Sequence, residues 1–117
     1  MTIEVITSFI ARATVRIIAY IYDDTGALVD PVDPGSVQVT IYNPDGTQQL
    51  LDTPSFEADM TAMDDPDNGD FVGIYEYYYR TDADTAKGWW RGEVIVIDGT
   101  DPNDRTSIEA FGFEVVS

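Results

Sequence analysis

At 117 residues the chain has the length of one domain, and we expect residues 1–117 to share a single hydrophobic core. It carries 22 acidic residues against 6 basic ones, a formal net charge of −16. Because this negative charge would repel the phosphates of nucleic acid, we do not expect nucleic acid as a partner. The absence of Cys and His excludes disulfides, Cys or His metal sites, a thiol nucleophile and a histidine base.

The apolar residues favour β-structure. Ile and Val number 11 each, whereas Leu numbers only 3. Branched side chains suit a pleated, half-buried surface and lose rotamer freedom on a helix. No stretch approaches the roughly 18 apolar residues that span a bilayer. We therefore predict an all-β domain without a membrane partner.

The acidic surface is unusual in kind as well as in amount. Asp accounts for 16 of the acidic residues, and Lys87 is the single lysine. Such a surface is typical of proteins from very salty cytoplasm, because the Debye length at molar salt is about 3 Å and self-repulsion is screened. We interpret the chain as halophilic, and an acidic protein of an ordinary cytoplasm is the alternative.

The first segment, residues 1–12, is apolar without clean alternation and lacks the basic region of a secretory signal peptide. We expect a protein made in the cytoplasm and not exported. The segment forms either the first strand or an arm that pairs with a neighbouring subunit, since no turn signal ties it to the next strand. The arm interpretation predicts interface residues Ile3, Val5, Ile6, Phe9 and Ile10.

Alternation with period two predicts half-buried strands at 13–22, 37–42, 55–62 and 108–116. Each has one apolar face that we expect to point into the core. The predicted inward residues are Ala13, Val15, Ile17, Ala19, Ile21, Val37, Val39, Ile41, Phe56, Ala58, Met60, Ala62, Phe111, Phe113 and Val115.

Two further strands, 71–79 and 89–97, are apolar on both faces. They are either central strands with a covered second face or strands whose outer face docks on another protein. Adjacent strand residues point oppositely, so we expect one of Trp89 and Trp90 to face the core. The docking interpretation adds Tyr78, Trp89, Ile95 and Ile97 to the predicted interface.

Most carboxylates fall in turn signals, where Asp bonds its own backbone. Asp23, Asp24 and Asp30 around Gly26 are interpreted as solvated turn carboxylates. Two Asp-rich loops offer oxygen ligands for Ca²⁺, which takes six to eight of them. They are weak candidates because neither loop fits the EF-hand spacing. The candidate ligands are Asp64, Asp65, Asp67, Asp70, Asp101 and Asp104. No carboxylate stands in an apolar frame that would raise its pKa, so we expect no enzyme, no small-molecule substrate and no other cofactor.

Short strands between frequent turns predict a sandwich or barrel. Six motifs follow one another along the chain: TVRI at 14–17, DTGALVDP at 24–31, VQVTIYNPDG at 37–46, GIYEY at 73–77, KGWWRGE at 87–93 and FGFEV at 111–115. In this order they resemble small immunoglobulin-like sandwich proteins encoded among the virion genes of tailed phages and tailed archaeal viruses.

The resemblance implies an immunoglobulin-like antiparallel β-sandwich of about seven to nine strands. It also implies a structural virion protein, a capsid decoration or head–tail neck component, that contacts other virion proteins and copies of itself. The same rhythm is similar to bacterial extracellular modules, so an adhesion or glycan-binding module is the alternative. Gly73-x-Tyr75-x-Tyr77 resembles the tyrosine-corner region, with Tyr77 where antibody domains carry Cys.

Overall fold

A computed structural model describes residues 1–10, 14–31, 35–44, 55–65, 69–81, 85, 87–99 and 105–116. Within these ranges the protein is all-β, as predicted. The strands are β1 (Thr2–Ile10), β2 (Thr14–Tyr22), β3 (Gly35–Tyr42), β4 (Ser55–Asp59), β5 (Thr61–Asp65), β6 (Gly69–Arg80), β7 (Gly88–Asp98) and β8 (Arg105–Val115). No helix that could cross a membrane occurs in the described part of the chain.

The strands form two antiparallel sheets of four. The first has the order β1-β2-β6-β5 and the second β4-β3-β7-β8. Buried side chains of both sheets belong to one hydrophobic cluster, in which Ile17 of β2 and Val94 of β7 are fully buried. This arrangement is compatible with a β-sandwich whose core lies between the sheets.

The alternation predicted for the inward faces of β2, β3 and β8 is confirmed, because a strand turns successive side chains to opposite sides. The confirmed core residues are Val15, Ile17, Ala19, Ile21, Val37, Val39, Ile41, Met60, Phe113 and Val115, whereas Ala62 is half-buried and Ala13 lies outside the described residues. Ala58 and Phe111 are partly buried and pack against this cluster, and the side chain of Phe56 lies outside those described.

The prediction of a single strand at 55–62 is wrong. The segment forms β4 in the second sheet and β5 in the first, and the chain crosses between the sheets at Met60. Met60 is buried, and its amide donates to the carbonyl oxygen of Val37 at 3.0 Å. Met60 is buried where the chain crosses between the sheets, so the apolar alternation of the sequence continues through the crossing.

The N-terminal segment is a strand of its own sheet. β1 pairs antiparallel with β2 over its full length, from Thr2 opposite Tyr22 to Ile10 opposite Thr14. Of the two interpretations of residues 1–12, the structure has the first strand, although no turn signal marks the hairpin. Residues 11–13, which connect the two strands, lie outside the described ranges.

β1 also lies beside β8, so the edges of the two sheets meet on this side of the molecule. The hydroxyl of Thr7 donates to the carbonyl oxygen of Gly112 at 3.2 Å. The rings of Phe9 and Phe113 meet edge to face, with centroids 6.4 Å apart. These contacts tie the first strand to the opposite sheet.

Candidate functional site

The carboxylate of Asp23 organises the turn that follows β2. Its Oδ1 accepts hydrogen bonds from the hydroxyl of Thr25 at 2.6 Å, the amide of Thr25 at 2.8 Å and the amide of Ala27 at 3.1 Å. These bonds lower the pKa of the Asp23 carboxyl, and the bond from the Thr25 hydroxyl has the largest effect. The turn role predicted for Asp23 is confirmed.

Asp30 is not a solvated turn carboxylate, and that prediction is wrong. Its Oδ1 accepts a hydrogen bond from the amide of Gly73 at 2.7 Å and another from the hydroxyl of Tyr75 at 2.9 Å. Both donors lie on β6, more than forty residues away along the chain. Asp30 therefore fastens the connection after β2 to β6, and its role is structural.

The calcium candidates stay a prediction. Asp64 pairs with Asp70, and Asp65 with Gly69, in the hairpin of β5 and β6. Of the remaining candidates, Asp67, Asp101 and Asp104 lie outside the described residues. Among the residues that the structure does describe, no group of three or more acidic side chains could hold a metal ion.

The first sheet presents an outward surface with an apolar centre. We define the first outer face as the outward positions at which β1, β2 and β6 pair with one another. Its four rows are Glu4–Tyr20–Ile74, Ile6–Ile18–Glu76, Ser8–Arg16–Tyr78 and Ile10–Thr14–Arg80. Ile18 is 9% exposed although it lies outside the core cluster, so its neighbours on this face cover it.

An ion pair lies flat on the first outer face. Arg16 donates to Glu76 Oε2 from Nη2 at 3.1 Å and from Nε at 3.3 Å. The hydroxyl of Tyr78 donates to the same oxygen at 3.1 Å, and Arg16 Nη2 lies 3.8 Å from the sulfur of Met63. Both charged side chains are about a quarter exposed, so the pair neutralises itself within the face.

The second sheet presents Trp89 to solvent. Trp90 is 1% exposed and Trp89 is 64% exposed, which confirms the prediction that one ring faces the core. We define the second outer face as the outward positions of β3, β7 and β8, which include Trp89, Ile95, Ile97 and Ile108. A depression on the second sheet is lined by Tyr42, Arg91, Gly92, Glu93, Ala110 and Phe111.

A third apolar surface lies where β1 and β8 meet. The groove between them is lined by Thr7, Ser8, Phe9, Trp89, Gly112, Phe113, Glu114 and Val116. Phe9, Trp89 and Val116 are all exposed there. Exposed apolar side chains thus reach from one sheet to the other across this groove.

The predicted interface residues are divided between core and surface. Ile3 is 7% exposed and belongs to the core cluster, and Val5 is half-buried and packs against that cluster, so both side chains contact the core of their own domain. Ile95 and Ile97 are half-buried on the second outer face. The predicted interface residues that are exposed are Ile6, Phe9, Ile10, Tyr78 and Trp89.

Sequence reasoning missed the Arg16–Glu76 pair and the role of Asp30. Period two places Arg16 and Glu76 on one side of their strands, but their pairing can be predicted only when the order of strands in the sheet is known.

Comparison with known protein families, curated proteins and solved structures found no match for this chain.

Proposed function

We propose that this chain is a non-enzymatic structural protein of the virion of a tailed virus, made in the cytoplasm of a halophilic host. It serves as a capsid decoration or a head–tail neck component and acts through contacts with other virion proteins and with copies of itself. The observation that carries the proposal is the placement of large exposed apolar side chains on a strongly acidic domain. These side chains are Ile6, Phe9, Ile10, Val72, Tyr78, Trp89 and Ile108.

Apolar side chains exposed to water are unfavourable unless a partner covers them. Soluble monomers rarely expose contiguous apolar patches larger than roughly a few hundred Å², and larger patches commonly mark interaction surfaces. The formal charge of −16 favours solubility and shows that the chain has many charged side chains for its surface. The exposure of large apolar side chains is therefore not explained by a shortage of polar residues. The resemblance of the motif order to virion proteins supplies the setting.

We further propose that the sandwich is of the immunoglobulin type. The order β1-β2-β6-β5 corresponds to strands A-B-E-D, and β4-β3-β7-β8 corresponds to a C-F-G sheet with an added C′ strand. In this assignment Tyr75 and Tyr77 lie on strand E, whereas a tyrosine corner belongs to strand F. The hydroxyl of Tyr75 donates to Asp30, so the tyrosine-corner resemblance does not carry over to these residues.

The proposed function is tested on particles. Cells whose genome encodes the chain are induced to release virions, which are purified by density-gradient centrifugation and analysed by quantitative mass spectrometry. The proposal predicts that the chain co-sediments with the particles in a fixed ratio to the major capsid protein and stays with them after a wash in molar salt. Its absence from purified particles would overturn the proposal.

A glycan-binding module is the second candidate, favoured by one observation. Trp89 is 64% exposed and lies on β7 two residues before Arg91, whose register partner on β3 is Tyr42. An aromatic ring offers a stacking surface to a neutral sugar, and the guanidinium offers donors to its hydroxyls. Affinity electrophoresis in neutral polysaccharides tests this candidate: retardation lost in Trp89→Ala and kept in Tyr78→Ala would support it, and unretarded wild-type protein would exclude those glycans.

A further inference from the structure

The first outer face is locally neutral on a chain that is otherwise strongly acidic. Its four rows contain Glu4, Arg16, Glu76 and Arg80, two charges of each sign, against −16 for the whole chain. Counted in the same way, the outward positions of β3, β7 and β8 carry Arg91 against Glu93 and Glu114, a net charge of −1. Two copies that approach through the first outer face therefore meet less like-charge repulsion there.

The centre of the first outer face is suited to close contact. Ile6 and Ile18 are cross-strand partners in its second row, and Tyr20 and Ile74 are partners in its first row. Arg16 and Glu76 are already paired on the surface, so an approaching protein does not have to strip two separate charges of their water. Ile6, Ile10 and Tyr78, each between 41% and 49% exposed, would lose contact with water.

The outer charges of this face are arranged in a self-complementary way. Glu4 is in the first row on β1 and Arg80 is in the last row on β6, so they occupy opposite corners. Both are exposed. A two-fold axis that lies in the plane of contact, perpendicular to the line from Glu4 to Arg80 and through its midpoint, exchanges these corners. Glu4 of each copy then lies against Arg80 of the other.

From this neutrality, apolar centre and corner arrangement we infer that the first outer face binds a second copy of this chain, as a symmetric dimer closed by two Glu4–Arg80 ion pairs. The inference specifies one of the contacts that the proposed function requires and rests on it to that extent. Its test uses the purified chain alone. Failure here therefore leaves the co-sedimentation result standing, and failure of co-sedimentation leaves the dimer standing.

Sedimentation equilibrium in about 0.5 M KCl, where exposed charges still interact at contact distance, tests the dimer. The wild-type protein should have twice the 13.0 kDa mass of one chain. Arg80→Glu places like charges together and should raise the dissociation constant about tenfold or more. The charge swap Glu4→Arg with Arg80→Glu should restore the dimer, and Arg91→Glu on the second outer face is the matched control that should leave it intact.

Circular dichroism of each variant checks that it is folded, and since the substituted side chains are exposed we expect all to be so. A monomeric wild-type protein in both 0.5 M and about 2 M KCl would overturn the inference. So would equal effects of Arg80→Glu and Arg91→Glu, or a charge swap that fails to restore the wild-type dissociation constant.

Discussion

The backbone amide of Gly73 donates a hydrogen bond to the carboxylate of Asp30, with Gly73 N and Asp30 Oδ1 2.7 Å apart. Gly73 has a φ of +73°, in the left-handed region that side chains disfavour. A Cβ added there would lie 2.8 Å from the amide nitrogen of Val29 and 2.9 Å from the carbonyl oxygen of Ile21. Only glycine therefore allows β6 to approach the segment after β2 so closely.

Removing the Asp30 carboxylate should destabilise the fold. Asp30→Ala leaves the amide of Gly73 and the hydroxyl of Tyr75 without this acceptor, at a cost of about 1–3 kcal/mol. Tyr75→Phe removes one of the two bonds and should cost about 1 kcal/mol. Urea unfolding measures both, with Asp24→Ala, an exposed neighbour of the same charge, as the control. Equal unfolding midpoints for Asp30→Ala and Asp24→Ala would contradict this role.

The ring of Phe111 occupies the space that a side chain at Gly92 would need. A Cβ at Gly92 would overlap that ring, so Gly92→Ala should displace it and cost about 1–3 kcal/mol. In a Phe111→Leu background the same substitution should cost less, because the overlap is relieved. A double-mutant cycle from urea unfolding measures the difference, and additive costs would show that the ring is not the obstacle.

Burial raises the pKa of the Tyr77 hydroxyl. Above the ordinary tyrosine pKa of about 10, the unfolded chain loses this proton before the folded protein does, so stability falls as pH rises. Tyr77→Phe removes this contribution. Urea unfolding at about pH 8 and pH 10.5 should therefore show a smaller alkaline loss of stability in Tyr77→Phe than in the wild type. Parallel losses in the two proteins would contradict the prediction.

The net charge of −16 predicts a fold that depends on salt, because self-repulsion is unscreened at low ionic strength. Thermal melts in about 2 M KCl should exceed those in about 0.1 M by more than about 10 °C. A variant with Asp24→Asn and Asp59→Asn, two exposed positions, should show a smaller gap. Equal melting temperatures at the two salt concentrations would contradict the halophilic interpretation.

Alternation predicted the inward faces of β2, β3 and β8 because each strand lies wholly within one sheet, so every second residue meets the core. The same pattern placed Met60 correctly in the core but did not show that the chain changes sheets there, because the apolar alternation continues through the crossing. The burial of Ile3 was not predicted, because residues 1–12 lack clean alternation and no turn signal at 11–13 marked the hairpin of β1 with β2.

The surface features were less accessible from sequence for a different reason. The role of Asp30 depends on Gly73 and Tyr75, and the neutrality of the first outer face depends on Arg16 and Glu76. Each of these contacts joins segments more than forty residues apart, and only the order of strands in the sheet brings them together. The outward direction of Trp89 was predictable because adjacent strand residues point oppositely and Trp90 faces the core, whereas its exposure depends on what covers the second face.

A cryo-EM reconstruction of particles from cells that encode this domain tests most directly the proposal that it is a structural component of a virion. We predict repeated density on the capsid or at the neck that fits two four-stranded sheets with the strand orders β1-β2-β6-β5 and β4-β3-β7-β8. A reconstruction in which every capsid, neck and tail density is filled by other chains would contradict it.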